Sequence, residues 1–491
     1  MSIIKKEFSK LIDICIEKDK DIVSRDKYRL KYHLMPPIGW LNDPNGLCYF
    51  NDEYHIFYQY SPFEVNGGLK FWGHYKSKDL INWEDLGAKL YPDTPYDCHG
   101  VYSGSAFVES DKMYFYYTGN VKHVGDYDYV NDGREHNTIM FTSEDGVEFS
   151  DKKLILRNVD YPNNMTCHVR DPKIFKIDND YYMVLGARDK SDKGCILIYK
   201  SKDLYNWTYS NTVSTNEKFG YMWECPDIFE LKDLITNENK YILNISPQGI
   251  EKDGYKYNNI YQSGYFILDI DIKNNKFEFN EFTELDRGFD FYAPQTFIDN
   301  KGRTIMIGWM GLPDIEKEYY TNPTDKSNWM HALTIPRELI LKNDKLYQQP
   351  IAEMKDLRMN HINVKLKDEK EYKELKSEIY ELDIKFNNIV DKFRLELKQD
   401  LELNFNKDKG IIKLKLGESG YGRDLRIVEL RELKNLQIFM DSSSIEIFIN
   451  DGAEVFTTRI YSDANTDNIV MTGSLDDVEI NLYELGEYKY V

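Results

Sequence analysis

A short pattern repeats five times along the chain, and it constrains the fold more than any other feature of the sequence. In each copy a polar turn precedes an apolar run that begins with Tyr or Ile. Successive copies are 60, 67, 60 and 64 residues apart, measured between the markers Tyr54, Tyr114, Tyr181, Tyr241 and Ile305. A four-stranded propeller blade with long loops has about this length. The repeat therefore predicts a five-bladed β-propeller.

The two ends of the chain follow other periods. Residues 3–23 have apolar side chains at spacings of three and four, which predicts one short amphipathic helix at the N-terminus. After Ile351 apolar and charged residues alternate with period two, which is typical of strands with one buried face and predicts a β-sandwich. The predicted fold is all-β apart from the helix, in three segments: an N-terminal helical segment (1–28), the propeller (29–350) and the sandwich (360–491).

Charge and cysteine usage exclude several classes of function. Lys and Arg number 63 against 83 Asp and Glu, a net charge of −20, which disfavours nucleic acid because phosphate backbones are bound mainly by clustered cations. The six cysteines lie singly, so neither a zinc site nor a disulfide framework is predicted, and no cofactor or metal is expected.

No secretory signal and no apolar run of about 20 residues is visible. We therefore expect a cytoplasmic protein without a membrane partner, and the pattern leaves monomer and homo-oligomer open.

A strand-sized segment precedes each repeat marker, and every such segment opens on a small punctuated motif. The five motifs are Asp43-Pro44, Ser103-Gly104, Asp171-Pro172, Glu224-Cys225-Pro226 and Ala293-Pro294. The innermost strand of each propeller blade lines the central channel, so these equivalent positions should face one shared axis. Three of the five motifs carry a carboxylate, and the repeat therefore predicts that Asp43, Asp171 and Glu224 lie together.

Three clustered carboxylates suit glycoside hydrolysis. Like charges held close together push their proton affinities apart, as an acid/base group and a nucleophile require, and negative charge stabilises an oxocarbenium-like transition state. Two other interpretations stay open at this point. Asp-Pro is a common turn dipeptide, and acidic clusters also bind calcium, although no calcium-binding loop accompanies these residues.

Aromatic and amide side chains near the motifs are of the kinds that bind sugars. A sugar ring offers an apolar face and several hydroxyls, so its sites combine aromatic rings with hydrogen-bonding groups. Core packing explains each aromatic residue equally well. The candidates are Trp40, Trp72, Tyr102, Trp223 and Tyr292, together with Asn42, Gln59, Ser103 and Arg170.

Taken together, these motifs resemble those of the family-32 glycoside hydrolases, the invertase and fructosidase family. The segment His33-Leu-Met-Pro-Pro-Ile-Gly-Trp-Leu-Asn-Asp-Pro-Asn-Gly46 is similar to the family signature. The matching order continues through Tyr102-Ser-Gly-Ser105, Arg170-Asp-Pro172, Trp223-Glu-Cys-Pro-Asp227 and Asp290-Phe-Tyr-Ala-Pro-Gln-Thr-Phe297. Residues 441–452 resemble part of the family's sandwich domain.

The resemblance implies a five-bladed propeller, a β-sandwich and a retaining β-fructofuranosidase that forms a covalent fructosyl-enzyme. It implies that Asp43 is the nucleophile, Glu224 the acid/base and Asp171 the stabiliser of the transition state. The fructosyl subsite that it implies is lined by Asn42, Gln59, Trp72, Ser103, Arg170 and Tyr292.

The implied substrate is sucrose 6-phosphate, sucrose or both. The alternatives are a fructan (inulin or levan) exo-hydrolase, an inverting glycosidase and a non-catalytic sugar-binding propeller. The sequence indicates no phosphate pocket, because the loop cations Arg134, Arg188 and Lys190 are interpreted as solvated surface charges.

Overall fold

The computed structural model of the chain describes residues 3–315, 320–398, 400–462 and 467–490. The N-terminal helix α1 (Ile3–Ser24) is confirmed, and it buries Ile12 and Val23. Phe8 packs edge-on against Phe71, with 5.2 Å between the ring centroids, so the helix lies against the first sheet. Among the described residues, no helix has the length and apolar character needed to cross a membrane.

Five sheets of consecutive antiparallel strands follow the helix in chain order. The first contains β1 (Gly39–Phe50), β2 (Glu53–Ser61), β3 (Phe71–Ser77) and β4 (Asn82–Leu90). The second contains β5 (Val101–Glu109), β6 (Lys112–Lys122), β7 (Arg134–Ser143) and β8 (Lys153–Leu156). The third contains β9 (Met165–Ile177), β10 (Asp180–Asp189), β11 (Gly194–Ser201) and β12 (Thr208–Val213).

The last two of these sheets are more elaborate. The fourth contains β13 (Met222–Lys232), β14 (Asn239–Gln248), β15 (Gly264–Asp271), β16 (Lys276–Phe279) and β17 (Thr283–Glu284). The fifth contains β18 (Tyr292–Ile298), β19 (Thr304–Met310), β21 (Ala332–Leu333), β22 (Arg337–Lys342) and β23 (Lys345–Pro350). Between β19 and β21, the short strand β20 (Trp329–Met330) leaves the fifth sheet and pairs with β1.

The first strands of the five sheets form a ring. Each of β1, β5, β9 and β13 contacts the first strand of the next sheet, and β18 contacts β1. The parallel pairing of β20 with β1, which joins Gly39 to Trp329, ties the fifth sheet to the first. The predicted propeller-type domain is confirmed, with the first strands innermost.

Each inner strand has a β-bulge at its predicted motif. Between two paired positions, the inner strand advances three residues while its partner strand advances two. The bulges start at Leu41, Val101, Arg170, Glu224 and Tyr292. A bulge bends its strand and redirects the side chains beside it. The five motifs therefore occupy the same place in the five sheets, as the repeat predicts.

Thirteen further strands make up the C-terminal part of the described chain. They are β24 (Arg358–Leu366), β25 (Glu369–Lys376), β26 (Tyr380–Phe386), β27 (Lys392–Leu397), β28 (Leu401–Asn406), β29 (Ile411–Leu416), β30 (Leu425–Glu429), β31 (Asn435–Met440), β32 (Ser444–Ile449), β33 (Glu454–Arg459), β34 (Asn468–Leu475), β35 (Val478–Leu485) and β36 (Lys489–Tyr490). Short 3-10 helices occur at Asn158–Asp160, Ile272–Asn274, Pro323–Ser327, Ala352–Leu357 and Glu418–Gly420.

Two six-stranded sheets form the predicted β-sandwich, which is confirmed. One has the order β24-β35-β26-β31-β32-β33, and the other has the order β25-β34-β27-β28-β29-β30. Strand β27 shows the expected alternation, because Leu395 and Leu397 are buried while Arg394 pairs with Glu402 on the outer face. The last strand, β36, returns to the propeller and pairs with β4. The three domain boundaries stay predictions.

Buried charges join the sandwich to the propeller. Arg337, on β22, contacts Glu446 of the sandwich at 2.5 Å, and Arg423 of the sandwich forms two 2.7 Å hydrogen bonds with Asp290. All four side chains are fully buried. One continuous apolar cluster also runs through both domains. Because an unpaired buried charge is costly, each domain supplies partners that the other needs.

His33 gives this interface a predictable dependence on pH. Its ring contacts the buried carboxylates of Asp441 (2.8 Å) and Glu446 (3.0 Å). Burial alone would lower the pKa of His33, but the bonds to the two carboxylates outweigh it and raise the pKa. The stabilisation is therefore complete below the unfolded pKa of about 6.5 and is lost as the pH rises through the higher folded pKa.

We expect the thermal midpoint of the wild type to fall as the pH is raised from about 6 to about 9. The His33→Gln variant should melt at a lower temperature at about pH 6, and its midpoint should depend less on pH. Differential scanning calorimetry of both proteins at matched pH values measures this difference. Parallel pH profiles would contradict the assignment.

Candidate active site

Asp43, Asp171 and Glu224 meet at one end of the ring, although 128 and 53 residues separate them along the chain. The Cys225 thiol connects two of them, since its Sγ lies 3.8 Å from Asp43 Oδ2 and 3.7 Å from Asp171 Oδ2. Arg170 connects the third, because it lies 2.5 Å from Glu224 and 3.9 Å from Asp171. The three carboxylates therefore form one cluster.

Asp43 receives a hydrogen bond on each carboxylate oxygen. The Ser103 hydroxyl donates to Oδ2, and Asn42 Nδ2 donates to Oδ1 at 3.1 Å. Burial raises the pKa of Asp43 above its ordinary value, and the bond from Ser103 opposes this shift while the nearby charge of Glu224 adds to it. Both oxygens are thus held in place by donors that stabilise the ionised form.

A second layer of hydrogen bonds fixes these donors. Gln59 accepts from Asn42 at 2.9 Å and donates to Ser103 at 2.5 Å. Trp40 Nε1 (2.9 Å) and Lys70 Nζ (3.1 Å) both donate to Asn42 Oδ1. Because Asn42 Oδ1 accepts two bonds and Nδ2 donates two, the orientation of its amide is determined by its partners.

Four donors hold Glu224. Arg170 donates to Oε1 from Nε (3.0 Å) and Nη2 (2.5 Å), while Gln248 (2.8 Å) and the Tyr292 hydroxyl (2.6 Å) donate to Oε2. Burial and the neighbouring charge of Glu224 raise the pKa of Tyr292 well above its usual value. Tyr292 therefore remains a hydroxyl donor.

Asp171 lies in the left-handed region of backbone conformation, with φ of 63°. Its N–H donates to Thr118 Oγ1 at 2.8 Å, and its Oδ2 accepts the backbone N–H of Cys225 at 2.9 Å. Burial raises the pKa of Asp171 to about 7, since the opposing charge of Arg170 is partly offset by Glu224 and Asp43. A strained backbone at a bulge is typical of functional sites.

The cluster is electrostatically suited to a substrate that becomes positive as it reacts. Three carboxylates stand against Arg170 and Lys70, and burial lowers the pKa of Lys70 to about 7 although the charge of Asp43 opposes this shift. Carboxylates fixed in a poorly solvated site stabilise an oxocarbenium-like transition state without reorganising. This is the chemistry of glycoside cleavage.

Comparison with known proteins agrees with this geometry. Residues 33–350 match the Glycosyl hydrolases family 32 N-terminal domain, and residues 353–483 match the Glycosyl hydrolases family 32 C terminal. The chain belongs to glycoside hydrolase family 32. The resemblance read from the sequence motifs is confirmed, and the protein is a glycoside hydrolase.

Individual family-32 proteins are similar over almost their whole length. The sucrose-6-phosphate hydrolase of Bacillus subtilis (strain 168) is 38% identical over 457 residues, which cover 91% of each chain. The structure of sucrose-6-phosphate hydrolase from Lactobacillus gasseri has a TM-score of 0.86 and 32% identity, and covers 97% of each chain. A mutant Bombyx mori GH32 beta-fructofuranosidase in complex with sucrose has a TM-score of 0.83 and 30% identity, and covers 98% of this chain and 99% of its own.

Five of the six residues that the family resemblance assigns to the sugar subsite contact the carboxylate cluster directly or through one another. These are Asn42, Gln59, Ser103, Arg170 and Tyr292. Trp72 differs, because it is fully buried and donates its indole N–H to the carbonyl of Tyr102 at 3.1 Å. It therefore supports the segment that contains Ser103, whereas direct contact with a sugar stays a prediction.

The side chain of Trp223, another aromatic candidate, packs among apolar residues of the third and fourth sheets. Trp223 is fully buried in its own sheet and donates to the Phe219 carbonyl at 2.7 Å. In the described part of the chain, no group of three or more His, Cys, Asp or Glu side chains is arranged to hold a metal ion.

The sequence motifs did not identify Gln248, Lys70 or Thr118 as part of this family-32 site. Gln248 ends β14 and reaches Glu224 only because β14 pairs with β13. Lys70 precedes β3, and Thr118 lies on β6, outside the inner strands. Only Gln248 has a local signal in the sequence, because it is a polar residue at the end of an apolar run (Ser246-Pro247-Gln248).

Proposed function

We propose that this chain hydrolyses sucrose 6-phosphate, and sucrose less efficiently, with retention of configuration at the fructosyl carbon. The observation that supports this most is the cluster of three carboxylates at equivalent bulges, held by Ser103, Arg170 and Tyr292. The relatives that are called sucrose-6-phosphate hydrolases support the choice of substrate.

In the first step Asp43 attacks the anomeric carbon of the fructosyl unit. The bond from that carbon to the bridging oxygen breaks, and Glu224 in its acid form gives its proton to this oxygen, so the glucosyl unit leaves as an alcohol. Asp43 is then joined to the fructosyl unit by an ester bond, and Glu224 is a carboxylate. Ser103 and Asn42 keep the attacking oxygens in position.

In the second step a water molecule attacks the same carbon. Glu224 accepts a proton from this water, the ester bond to Asp43 breaks, and both residues return to their starting protonation states. Asp171 lies beside both residues, and we assign it to stabilising the positive charge and binding fructosyl hydroxyls. Asn42, Gln59, Ser103, Arg170 and Tyr292 are assigned to the subsite, with Trp72 behind them.

A cytoplasmic location belongs to the same proposal. A sugar phosphate is charged at neutral pH and does not cross a bilayer unaided, so its hydrolase must work on the side where the phosphate is added. The binding partner that we propose is the sugar substrate.

We expect kcat/KM to be highest for sucrose 6-phosphate, lower for sucrose and lowest for a short inulin. One charge-assisted hydrogen bond to the phosphate contributes about 1.5–3 kcal/mol, so KM for sucrose 6-phosphate should be lower by roughly tenfold or more. Steady-state assays of released fructose on the three substrates measure this order. Equal constants for both sucroses would indicate a general invertase, and preference for inulin would indicate a fructan hydrolase.

A further inference from the structure

A line of basic side chains leads away from Glu224 on one side of the site. Arg170, which binds Glu224 Oε1, places its Nη1 2.7 Å from His168 Nδ1. On the far side of the imidazole, Arg134 Nη1 lies 3.3 Å from His168 Nε2. Arg134 is therefore separated from Arg170 by a single imidazole ring.

His168 can accept a hydrogen bond from only one of these two arginines. Burial and the charges of Arg170 and Arg134 lower its pKa to about 2, so the ring is neutral and one nitrogen bears a proton. The shorter contact indicates that Nδ1 accepts from Arg170. Nε2–H then donates to the Tyr129 carbonyl at 3.2 Å. Arg134 Nη1 consequently faces an N–H group and finds no acceptor there.

The rest of the Arg134 guanidinium is also short of acceptors. Its Nε–H is buried and has no hydrogen-bond partner, and no carboxylate in the described part of the chain pairs with it. By contrast, Arg188 is bound to Asp192 at 2.6 Å, and Arg157 lies 3.6 Å from Glu135. The positive charge of the half-buried Arg134 guanidinium is therefore not matched by a carboxylate among the described residues, so the site around Arg134 is suited to an anion.

The sequence-based interpretation of Arg134 as a solvated surface charge is therefore wrong. The side chain is only partly exposed, and it contacts His168, which in turn contacts Arg170 beside Glu224. Lys190 fits that interpretation better, since it is exposed and donates to the backbone carbonyl of Asn163 at 2.8 Å.

The position of Arg134 relative to Glu224 indicates which part of a substrate could reach it. Glu224 protonates the bridging oxygen, so the leaving glucosyl unit must lie on the Glu224 side of the cluster, away from Asp43. The line from Glu224 through Arg170 and His168 to Arg134 starts on that side. In a leaving hexose that carries a phosphate on its exocyclic carbon, the sugar ring separates the phosphate from the oxygen that Glu224 protonates, so the cation that binds this phosphate must lie beyond Glu224.

We propose that Arg134 binds the phosphate group on the leaving glucosyl unit and so determines the preference for phosphorylated sucrose. This inference rests on the proposed function, and it adds the residue that reads the phosphate. With a net charge of −20 the protein repels a dianion at long range, so a local cation without a competing carboxylate is what recognition requires. Arg134 meets that requirement, and its planar fork suits a phosphate.

The test compares the wild type with Arg134→Gln and Arg157→Gln on sucrose 6-phosphate and sucrose. Arg134 begins β7 and Arg157 follows β8 of the same sheet, so both variants remove one positive charge from this part of the molecule and Arg157→Gln controls for the long-range field. We expect the ratio of kcat/KM for sucrose 6-phosphate to that for sucrose to fall at least about tenfold in Arg134→Gln and to change less than about twofold in Arg157→Gln. Arg134→Lys should lie between, because lysine keeps the charge but not the fork.

Calorimetric binding of D-glucose 6-phosphate and D-glucose gives a second measurement that does not depend on catalysis. The wild type should bind the phosphate ester at least about tenfold more tightly than glucose, and Arg134→Gln should lose this difference. A ratio unchanged in Arg134→Gln, or an equal loss on both substrates, would overturn the inference. A wild type that binds glucose 6-phosphate through Arg134 but cleaves neither sugar would instead contradict the proposed function alone.

Discussion

Replacing Asp43 with Asn is expected to reduce kcat/KM for sucrose 6-phosphate by at least about ten-thousandfold. The amide is nearly isosteric with the carboxylate and can still meet Ser103 and Asn42, but it cannot form the ester bond on which both steps depend. Binding should persist, because the hydrogen-bonding groups of the subsite remain. Single-turnover kinetics and calorimetric binding of the substrate separate the two effects.

The matched control for this variant is Asp79→Asn, which makes the same chemical change in the same sheet. Asp79 stabilises the turn before β4 by accepting hydrogen bonds from Asn82. Neither of these bonds involves a residue of the carboxylate cluster. It should keep nearly full kcat. The thermal midpoint of Asp43→Asn should not fall, because the substitution removes one of three clustered like charges. Activity of Asp43→Asn near the control value would contradict the assignment of the nucleophile.

Replacing Glu224 with Ala is expected to reduce kcat on sucrose 6-phosphate by about 10²–10⁴-fold, the usual contribution of a general acid and base. A fructoside with an activated leaving group needs no proton and should restore the first step. Azide needs no general base and should restore the second, giving a fructosyl azide of retained configuration. In Asp43→Ala an activated leaving group alone should not restore turnover, because no residue replaces the bond that Asp43 forms. Any fructosyl azide from this variant should arise by direct attack on the substrate and have inverted configuration.

Glu230→Ala provides the control for Glu224→Ala. Glu230 lies on the same strand, β13, but its side chain is exposed and outside the bulge. It should keep wild-type kcat, and azide should have no effect on it. Fructosyl azide of retained configuration from the Asp43 variant, or of inverted configuration from the Glu224 variant, would show that the two roles are wrongly assigned.

Much of the propeller could be predicted from the repeats, because each repeated strand is specified by residues that are close together in the sequence. A turn followed by a Tyr- or Ile-led strand is encoded within about ten residues, and the inner motifs coincide with bulges that each sheet repeats. Asp43, Asp171 and Glu224 could therefore be grouped from their positions in the repeat alone. The sandwich was equally accessible, since alternation along β27 and β28 directly reflects one buried face.

Pairwise contacts between distant segments could not be predicted in this way. Gln248 reaches Glu224 through the pairing of two strands, and Arg423 reaches Asp290 across 133 residues, so no local pattern distinguishes either from an ordinary polar residue. Whether Arg134 has a hydrogen-bond acceptor depends on which nitrogen of His168 bears the proton. Arg170 and the Tyr129 carbonyl determine that nitrogen. Such information exists only once the fold brings the groups together.

Trapping the covalent intermediate tests the central claim most directly. In Glu224→Ala, a fructoside with an activated leaving group should form the fructosyl-enzyme while the second step, lacking its base, remains slow. Rapid acid quenching, proteolysis and mass spectrometry should then find one fructosyl unit on the peptide that contains Asp43. A fructosyl unit on another residue, or turnover without any adduct and with inverted product, would contradict the account.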